Sequence, residues 1–522
     1  MSKQIDYTDI NNIPDEKFKL VQTDVKIFDA APKTRPVGYF EDALRRFVKN
    51  KASVAGAVVI FIILLFVIFA PFITPYKVSD FDQVYAKARP KVKAFERSGF
   101  WDGSKKMDYN ERYLMYMYAI GMGASDTEGG QKSVSFEAGL ESPYRAINKI
   151  NGETMSGGQN YWNVTVDSYY ALGFRYLTIT ESRFNAIREF EEETGLKVLY
   201  PMVDREGKFG SEAGMKDANY WYRQAPNGAP MSKKGKPMDL AAMEKEGLVP
   251  NYLRDSNGEL QYFVPRDKTM RDVRVLYYNY YQFMNGREPV FFFGSDSQGY
   301  DIMARMAQGT RLSLLLAVAV SVINLTLGTI IGAVEGYYGG VIDLIMERII
   351  DILSGMPFYV VATLFQLHLV QTGKVSTFVG LLFAFILTGW IGTAYRVRTQ
   401  FYRFKKEEYI LSARTLGATD ARLMFKHIFP NAIGTIITSS VLVIPQTILS
   451  ESTLSYLGIV NFQGQAMTSL GTMMQLGQAY LSTDPHILFF PAIIISLLMI
   501  SFNLFGNGLR DAFNPSLRGA DE

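Results

Sequence analysis

Six apolar runs constrain this chain more than any other feature. They lie at residues 54–73, 312–332, 356–370, 376–395, 433–450 and 487–504, and none contains Lys, Arg, Asp or Glu. Runs of about 18–20 apolar residues match the hydrocarbon thickness of a bilayer. There every backbone amide and carbonyl must be paired within its own segment, so helices are the expected form. The runs do not alternate polar and apolar residues as barrel strands do. The run at 356–370 is short. Its helix is expected to extend back through 342–355, where Glu347, Arg348 and Asp351 sit at helical spacing near one membrane surface. The first 50 residues are polar, and the first run exceeds the apolar core of a cleavable leader, so it is expected to stay in the membrane.

Basic residues near the run ends set the orientation. Arg45, Arg46, Lys49 and Lys51 precede the first run, and Arg396, Arg398, Arg403, Lys405, Lys406, Arg414, Arg422 and Lys426 follow the fourth. The stretch 452–486 holds no Lys or Arg. Both termini are then expected in the cytoplasm of a multi-pass cell-membrane protein. The stretch between the second and third runs is net acidic and does not contribute to this assignment.

Between the first two runs lies a polar segment, residues 76–293, which this count places outside the cell. It holds 30 Lys and Arg against 29 Asp and Glu, and it is rich in Tyr, Trp and Gly. So many aromatic and apolar residues do not suit a disordered linker. The expectation is a folded domain, mixed α/β or α, with a helix over 179–193 and a loop over 226–236. A domain this large at the outer mouth of a membrane protein implies a task there, either docking a partner or forming a vestibule. Aromatic contacts are expected near 161–170 and 220–222.

Some chemistry is excluded by composition. A net charge of +3 argues against nucleic acid, and the absence of Cys excludes disulfides and thiolate chemistry. There is no phosphate-binding Gly-rich loop ending in Gly-Lys-Ser/Thr, so ATP hydrolysis is not expected on this chain. His368, His427 and His486 are far apart and form no visible metal cluster, so neither a metal nor a cofactor of its own is expected.

The most informative stretch is 409–430, YILSARTLGATDARLMFKHIFP. It reads as a helix over 409–416, a turn at Gly417 and Ala418, and a second helix over 419–428 ending before Pro430. Composition alone also fits a plain basic loop. The segment resembles the coupling motif of ABC-importer permeases, which runs Glu-Ala-Ala, three residues, Gly, and later Leu-Pro. Leu411, Ser412 and Ala413 stand at the Glu-Ala-Ala place, Gly417 at the glycine, and Phe429-Pro430 at Leu-Pro. The departures at 411, 412 and 429 leave the polar details of docking open. Four further stretches resemble the C-type subunits of dipeptide and oligopeptide importers: RRFVKNKASVAG at 45–56, GSDSQGYDIMARMAQGTRLSLLLA at 294–317, RIIDILSGMP at 348–357 and SESTLSYLGI at 450–459. FNLFGNGLRDAFNP at 502–515 is a fifth. The matches span about 40–75 and 294–517, and the resemblance is silent on 76–293.

The resemblance implies an all-α polytopic membrane protein of six transmembrane helices with an inserted domain. It divides the chain into a tail at 1–50, a first helix at 51–75, the insertion at 76–293, and a permease core at 294–510 with its coupling loop at 396–432. A tail at 511–522 follows. It implies a second homologous permease, two cytoplasmic subunits that bind ATP and Mg, an extracellular substrate-binding lipoprotein, and a peptide substrate. Leu411, Ser412, Ala413, Arg414, Gly417, Ala418 and Pro430 are then the candidates for ATPase coupling. Asp296, Asp301, Arg348, Asp351, Pro445 and Glu451 are candidates for structural or gating roles. Substrate-binding residues are not assigned. The alternatives are a membrane-anchored sensory or adhesion protein acting through 76–293, and a permease for a nickel complex. A secondary transporter would show internal repeats and intramembrane ion ligands.

Overall fold

The computed structural model describes residues 39–127, 129, 133–462 and 467–513. The tails expected at 1–50 and 511–522 lie outside the described residues except for 39–50 and 511–513, most of which are helical. An amphipathic helix, Tyr39–Lys49, leads into the first span, Lys51–Ile73. Asn50 caps that span by accepting from the amides of Ala52 and Ser53. Its buried stripe includes Gly56, Ile63 and Val67, and packs on the last helix, His486–Phe513, at Ser501, Leu498 and Phe502. The rest of its surface is apolar and unburied, as a lipid-facing surface must be.

The second span, Ile302–Tyr338, is one helix of 37 residues. At 1.5 Å per residue it is about 55 Å long, well beyond the ~30 Å of hydrocarbon. The inserted domain packs at its N-terminal end and the basic 396–432 segment at its C-terminal end, so the two lie on opposite faces of the membrane. Gly328, Gly332 and Gly336 form a ridge one helical turn apart that seats the helix Ile391–Phe404. A Cβ would meet Thr393 Cβ at 2.6 Å from Gly328, the Ala394 carbonyl from Gly332, and the Arg398 carbonyl at 2.5 Å from Gly336. Small residues at every fourth position let helix backbones approach closely where lipid supplies no hydrophobic drive for association.

The third span corrects the expectation of a helix running unbroken from 342 to 370. Gly340–Ser354 and Phe358–Val370 meet at 77°. Pro357 has no amide hydrogen to continue the ladder and disfavours a helical conformation at Met356. The fourth span, Thr377–Phe404, starts on a Ser376 cap. The fifth consists of Phe429–Val441 and Val443–Tyr456, interrupted at Leu442, where Pro445 lacks the amide that would bond the Val441 carbonyl. Four helices are long and apolar enough to cross a bilayer unbroken, and two bent pairs, Gly340–Ser354 with Phe358–Val370 and Asp420–Gly434 with Ile436–Tyr456, bring the number to six.

The insertion is α/β. A three-stranded antiparallel sheet runs Ser104–Asn110, Gln159–Asp167, Ile147–Ser156 in spatial order. In a second sheet, Met270–Leu276 pairs with Phe174–Thr180, Leu199–Tyr200 and Phe263–Pro265. Helices Glu111–Ser125, Glu181–Thr194 and Tyr277–Asn285 cover the sheets. Two buried cations anchor the core. Arg274 lies 3.7 Å over the Phe174 ring and donates to the Ala218 carbonyl at 2.8 Å. Lys91 pairs with Asp167 at 3.0 Å, both nearly inaccessible, and burial pushes the Asp167 carboxyl up. The aromatics expected to form outward contacts serve mainly as core: Tyr169, Trp221 and Tyr222 are buried, while Tyr161 and Tyr220 remain partly open. Their rings fill the space between the second sheet and the helices and loops around it, which the local sequence does not disclose.

Candidate functional site

The basic segment folds into two helices around a glycine turn. Glu408–Thr415 ends at Gly417, whose φ of +86° places it in the left-handed region. The turn closes through Gly417 N–H to the Arg414 carbonyl at 3.0 Å and Ala418 N–H to the Ala413 carbonyl at 3.1 Å. The second helix does not end before Pro430, as the sequence led one to expect. Asp420–Arg422 continues through a π-helical turn, Leu423–Ile428, into Phe429–Val441, with Pro430 in its first turn. The wider π turn accommodates a residue that cannot donate to the ladder.

Ile410, Leu423 and Ile428 are buried against Tyr337, Val397 and Phe401, so the helix pair is fixed to the ends of the second and fourth spans. The Tyr337 hydroxyl donates to Asp420 and accepts from Arg414 at 3.4 Å, and Lys405 donates to the Tyr337 carbonyl at 3.2 Å. On the outer side, Leu411, Ser412, Arg414 and Gly417 are exposed, while Ala413 and Ala418 lie half-buried beneath them. Leu416 at the tip is 89% exposed. Leu411 and Phe425 of the same helix pair are exposed as well, and several open apolar side chains on one surface element suit a contact with another protein better than a lone leucine would. Sequence reading passed over Leu416, although its place beside the turn glycine was a signal.

Behind this segment a cavity of about 530 Å³ opens between the second, third, fourth and fifth spans. Its lining includes Asn324, Tyr359, Phe385, Arg396, Gln446 and Thr447. Polar groups at membrane depth that face a cavity are functional candidates. The signal for them was a few polar residues inside or bordering apolar runs. Pro445 lies one residue from Gln446, at the break in the fifth span.

Glu451 is fully buried beside this region and accepts from Ser313 at 2.8 Å, Ser455 at 2.9 Å and Ser452 at 3.4 Å. Its oxygens are taken up by a serine clasp joining the second and fifth spans. Further toward the N-terminus of the second span, Asp301 caps the helix through Ala304 N–H at 3.0 Å and accepts from Thr74 at 2.9 Å. Asp296 accepts from the amides of Gln298 and Tyr300, and its carbonyl accepts from Lys87 N–H at 2.9 Å. Those two aspartates therefore lock the exit of the first span to the entry of the second, away from the 530 Å³ cavity. Arg348 and Asp351 form an exposed pair at 2.9 Å. Glu347 instead joins Arg398, which Asp343 grips with both oxygens at 2.6 and 2.8 Å. This clasp between the third and fourth spans needed tertiary information and was not anticipated.

The segments carrying this geometry match known proteins. The signature of the binding-protein-dependent transport system inner membrane component fits residues 324–519, and that of the N-terminal transmembrane domain of oligopeptide transport permease C fits 38–90. The chain is 42% identical over 226 residues to the oligopeptide transport system permease protein OppC of Bacillus subtilis (strain 168), covering 43% of this chain and 72% of that protein. The chain belongs to the C-type permeases of the oligopeptide and dipeptide transporters. It is 41% identical over 227 residues to the dipeptide transport system permease protein DppC of the same organism, covering 43% of this chain and 69% of the relative. Against OppC of Haemophilus influenzae (strain ATCC 51907 / DSM 11121 / KW20 / Rd) identity is 37% over 231 residues, 44% of this permease and 72% of the relative. Neither signature covers 91–323, so most of the inserted domain lies outside them.

Proposed function

We propose that this permease forms half of the translocation pathway of an ATP-driven peptide importer in the cell membrane. A second, homologous permease supplies the other half, and a substrate-binding lipoprotein delivers peptide from outside. Two cytoplasmic subunits bind ATP and Mg and dock on the 408–428 helix pair. The inserted domain faces outward and both termini face the cytoplasm. The observation that carries this reading is the rigid coupling turn with its exposed Leu416, at the far end of the second span from the inserted domain. Movement of that turn passes through Tyr337 to the second span and through Val397 and Phe401 to the fourth, both of which line the cavity. No covalent chemistry on this chain is needed for such switching.

Gly417→Trp tests it. A Cβ at Gly417 meets only open space, so the ring projects toward the docking partner, while the φ of +86° makes any side chain strain the docking turn itself, without contact to the spans. Membrane insertion is expected to be normal, while uptake and peptide-stimulated ATPase activity of the assembled complex fall at least 100-fold. Normal uptake together with normal ATPase co-purification would overturn the assignment.

A further inference from the structure

The strand Ser104–Asn110 is an edge. It pairs with Gln159–Asp167 on one side, and among the described residues no strand pairs with the other. A cavity of about 620 Å³ lies in the groove between this strand and the helix Glu111–Ser125. Its wall includes Met107, Asp108, Tyr109 and Asn110 in succession. Side chains of a strand alternate between faces, so four consecutive residues in the wall bring the cavity to the strand's open edge, while Tyr161, Val166 and Met117 show that it also reaches under the sheet face covered by Glu111–Ser125. The opposite wall is the 84–88 segment that leaves the first span, and Asp484, at the entry to the last helix, borders one end. The cavity therefore sits where the inserted domain meets the membrane core.

The chemistry along it is specific. Lys105 and Arg112 both line the cavity, and among the described residues neither has an ion-pair or side-chain hydrogen-bond partner. Tyr113 and Tyr220, also in the wall, flank Tyr116 in a chain of rings with centroids 5.3 and 5.0 Å apart. Lysines on an edge strand also deter unwanted pairing with other chains, but that role calls for neither a cavity nor an aromatic platform. An open strand edge offers unpaired amides and carbonyls to an extended backbone, and flanking pockets select its side chains.

We propose that this edge is a peptide-binding site of the inserted domain. An extended oligopeptide adds as a fourth strand along Ser104–Asn110, with its carboxylate held by Lys105 or Arg112 and a side chain resting on the tyrosines. The proposal rests on the importer reading for its choice of peptide, and gives the insertion a waiting site for cargo beside the pore.

The test uses the full-length chain alone in lipid nanodiscs and a fluorescein-labelled Val-Thr-Val-Thr-Val probe with a free carboxylate, followed by anisotropy. Alternate amides of an added strand face its partner, so N-methylation of one alternating set is expected to weaken binding at least 10-fold while methylation of the other set is tolerated. Lys105→Glu combined with Arg112→Glu, and amidation of the probe, are each expected to weaken it similarly. Equal binding of both methylated probes overturns the site and requires no protein variant. Peptide-stimulated ATPase activity of the assembled complex reads the importer separately. Stimulation without methylation-phase dependence in nanodiscs overturns the edge site alone. Phase-dependent binding with no stimulation upholds the site and overturns the importer reading.

Discussion

The inserted domain and the permease core use opposite solutions to the same packing problem. The domain is largely closed: most of its tyrosines and tryptophans are turned inward, though Phe81, Phe95, Phe100 and Tyr113 stay exposed, and Lys91, Asp167 and Arg274 are buried with partners. The core is open. Leu315, Val322 and Ile330 of the second span, and Phe61, Ile62 and Phe69 of the first, are exposed, and two of its six spans are broken. A domain that satisfies itself can stand as a unit in water. Helices with apolar outer faces, a half-lined cavity and an exposed leucine at the Gly417 turn leave surfaces that lipid and the proposed partner subunits would cover.

The largest expected effect comes from breaking the core where it is closed. Gly332→Leu drives a branched side chain into the Ala394 backbone and separates the second span from the fourth. Uptake is expected to fall below detection, while limited proteolysis still yields the compact inserted domain. Loss of that fragment as well would mean that the two regions fold as one. The converse experiment is Lys91→Met. It leaves the buried Asp167 carboxylate without its partner, which costs about 3–5 kcal/mol in comparable sites. Protease resistance of 91–290 is expected to drop sharply while the spans still insert. Unchanged resistance would show that Asp167 takes up a proton in place of the pair.

The same contrast explains what the sequence disclosed. Spans were legible because hydrocarbon tolerates few charges, and the turn at 417–418 because Gly417 and its basic surroundings punctuate a helix pair. The 77° bend at Gly355–Pro357 was not, because hydropathy carries no direction. Pro430 misled, since a proline reads as a stop and the π turn that bypasses it leaves no compositional mark. The glycines at 328, 332 and 336 stood in plain view at every fourth position, yet acquire meaning only with Thr393 and Ala394 opposite. In the insertion, alternation is weak: Ser104–Asn110 reads SKKMDYN, and only its pairing identifies it as an edge strand. Which tyrosines point inward was equally beyond reach, because each cluster gathers residues of the second sheet, of separate helices and of loops far apart in sequence.

The smallest expected effect lies at the seam between the two regions. Asp301 caps the second span while accepting from Thr74 at the end of the first, and burial pushes its carboxyl up to about 6 from an ordinary value of 3.8. Asp296 is its charged neighbour and raises it further; burial also pushes Asp296 up, and Arg305 acts against that on Asp296. A raised carboxyl means that the folded seam binds a proton more tightly than the unfolded chain. Stability from this group is therefore full below about pH 4, is lost as pH rises toward about 6, and is level above that. The change amounts to about 1–3 kcal/mol. Asparagine caps a helix about as well as aspartate, so Asp301→Asn keeps the amide contact and removes the titration. The melting temperature of the wild-type permease in detergent is expected to fall between pH 4.5 and 6.5 by a few degrees more than that of the variant. At pH 7 the variant is expected to be at least as stable as wild type. Parallel pH profiles for the two proteins would show that Asp301 does not sense pH, and that the seam is held by the 82–88 and 294–301 backbone pairing alone.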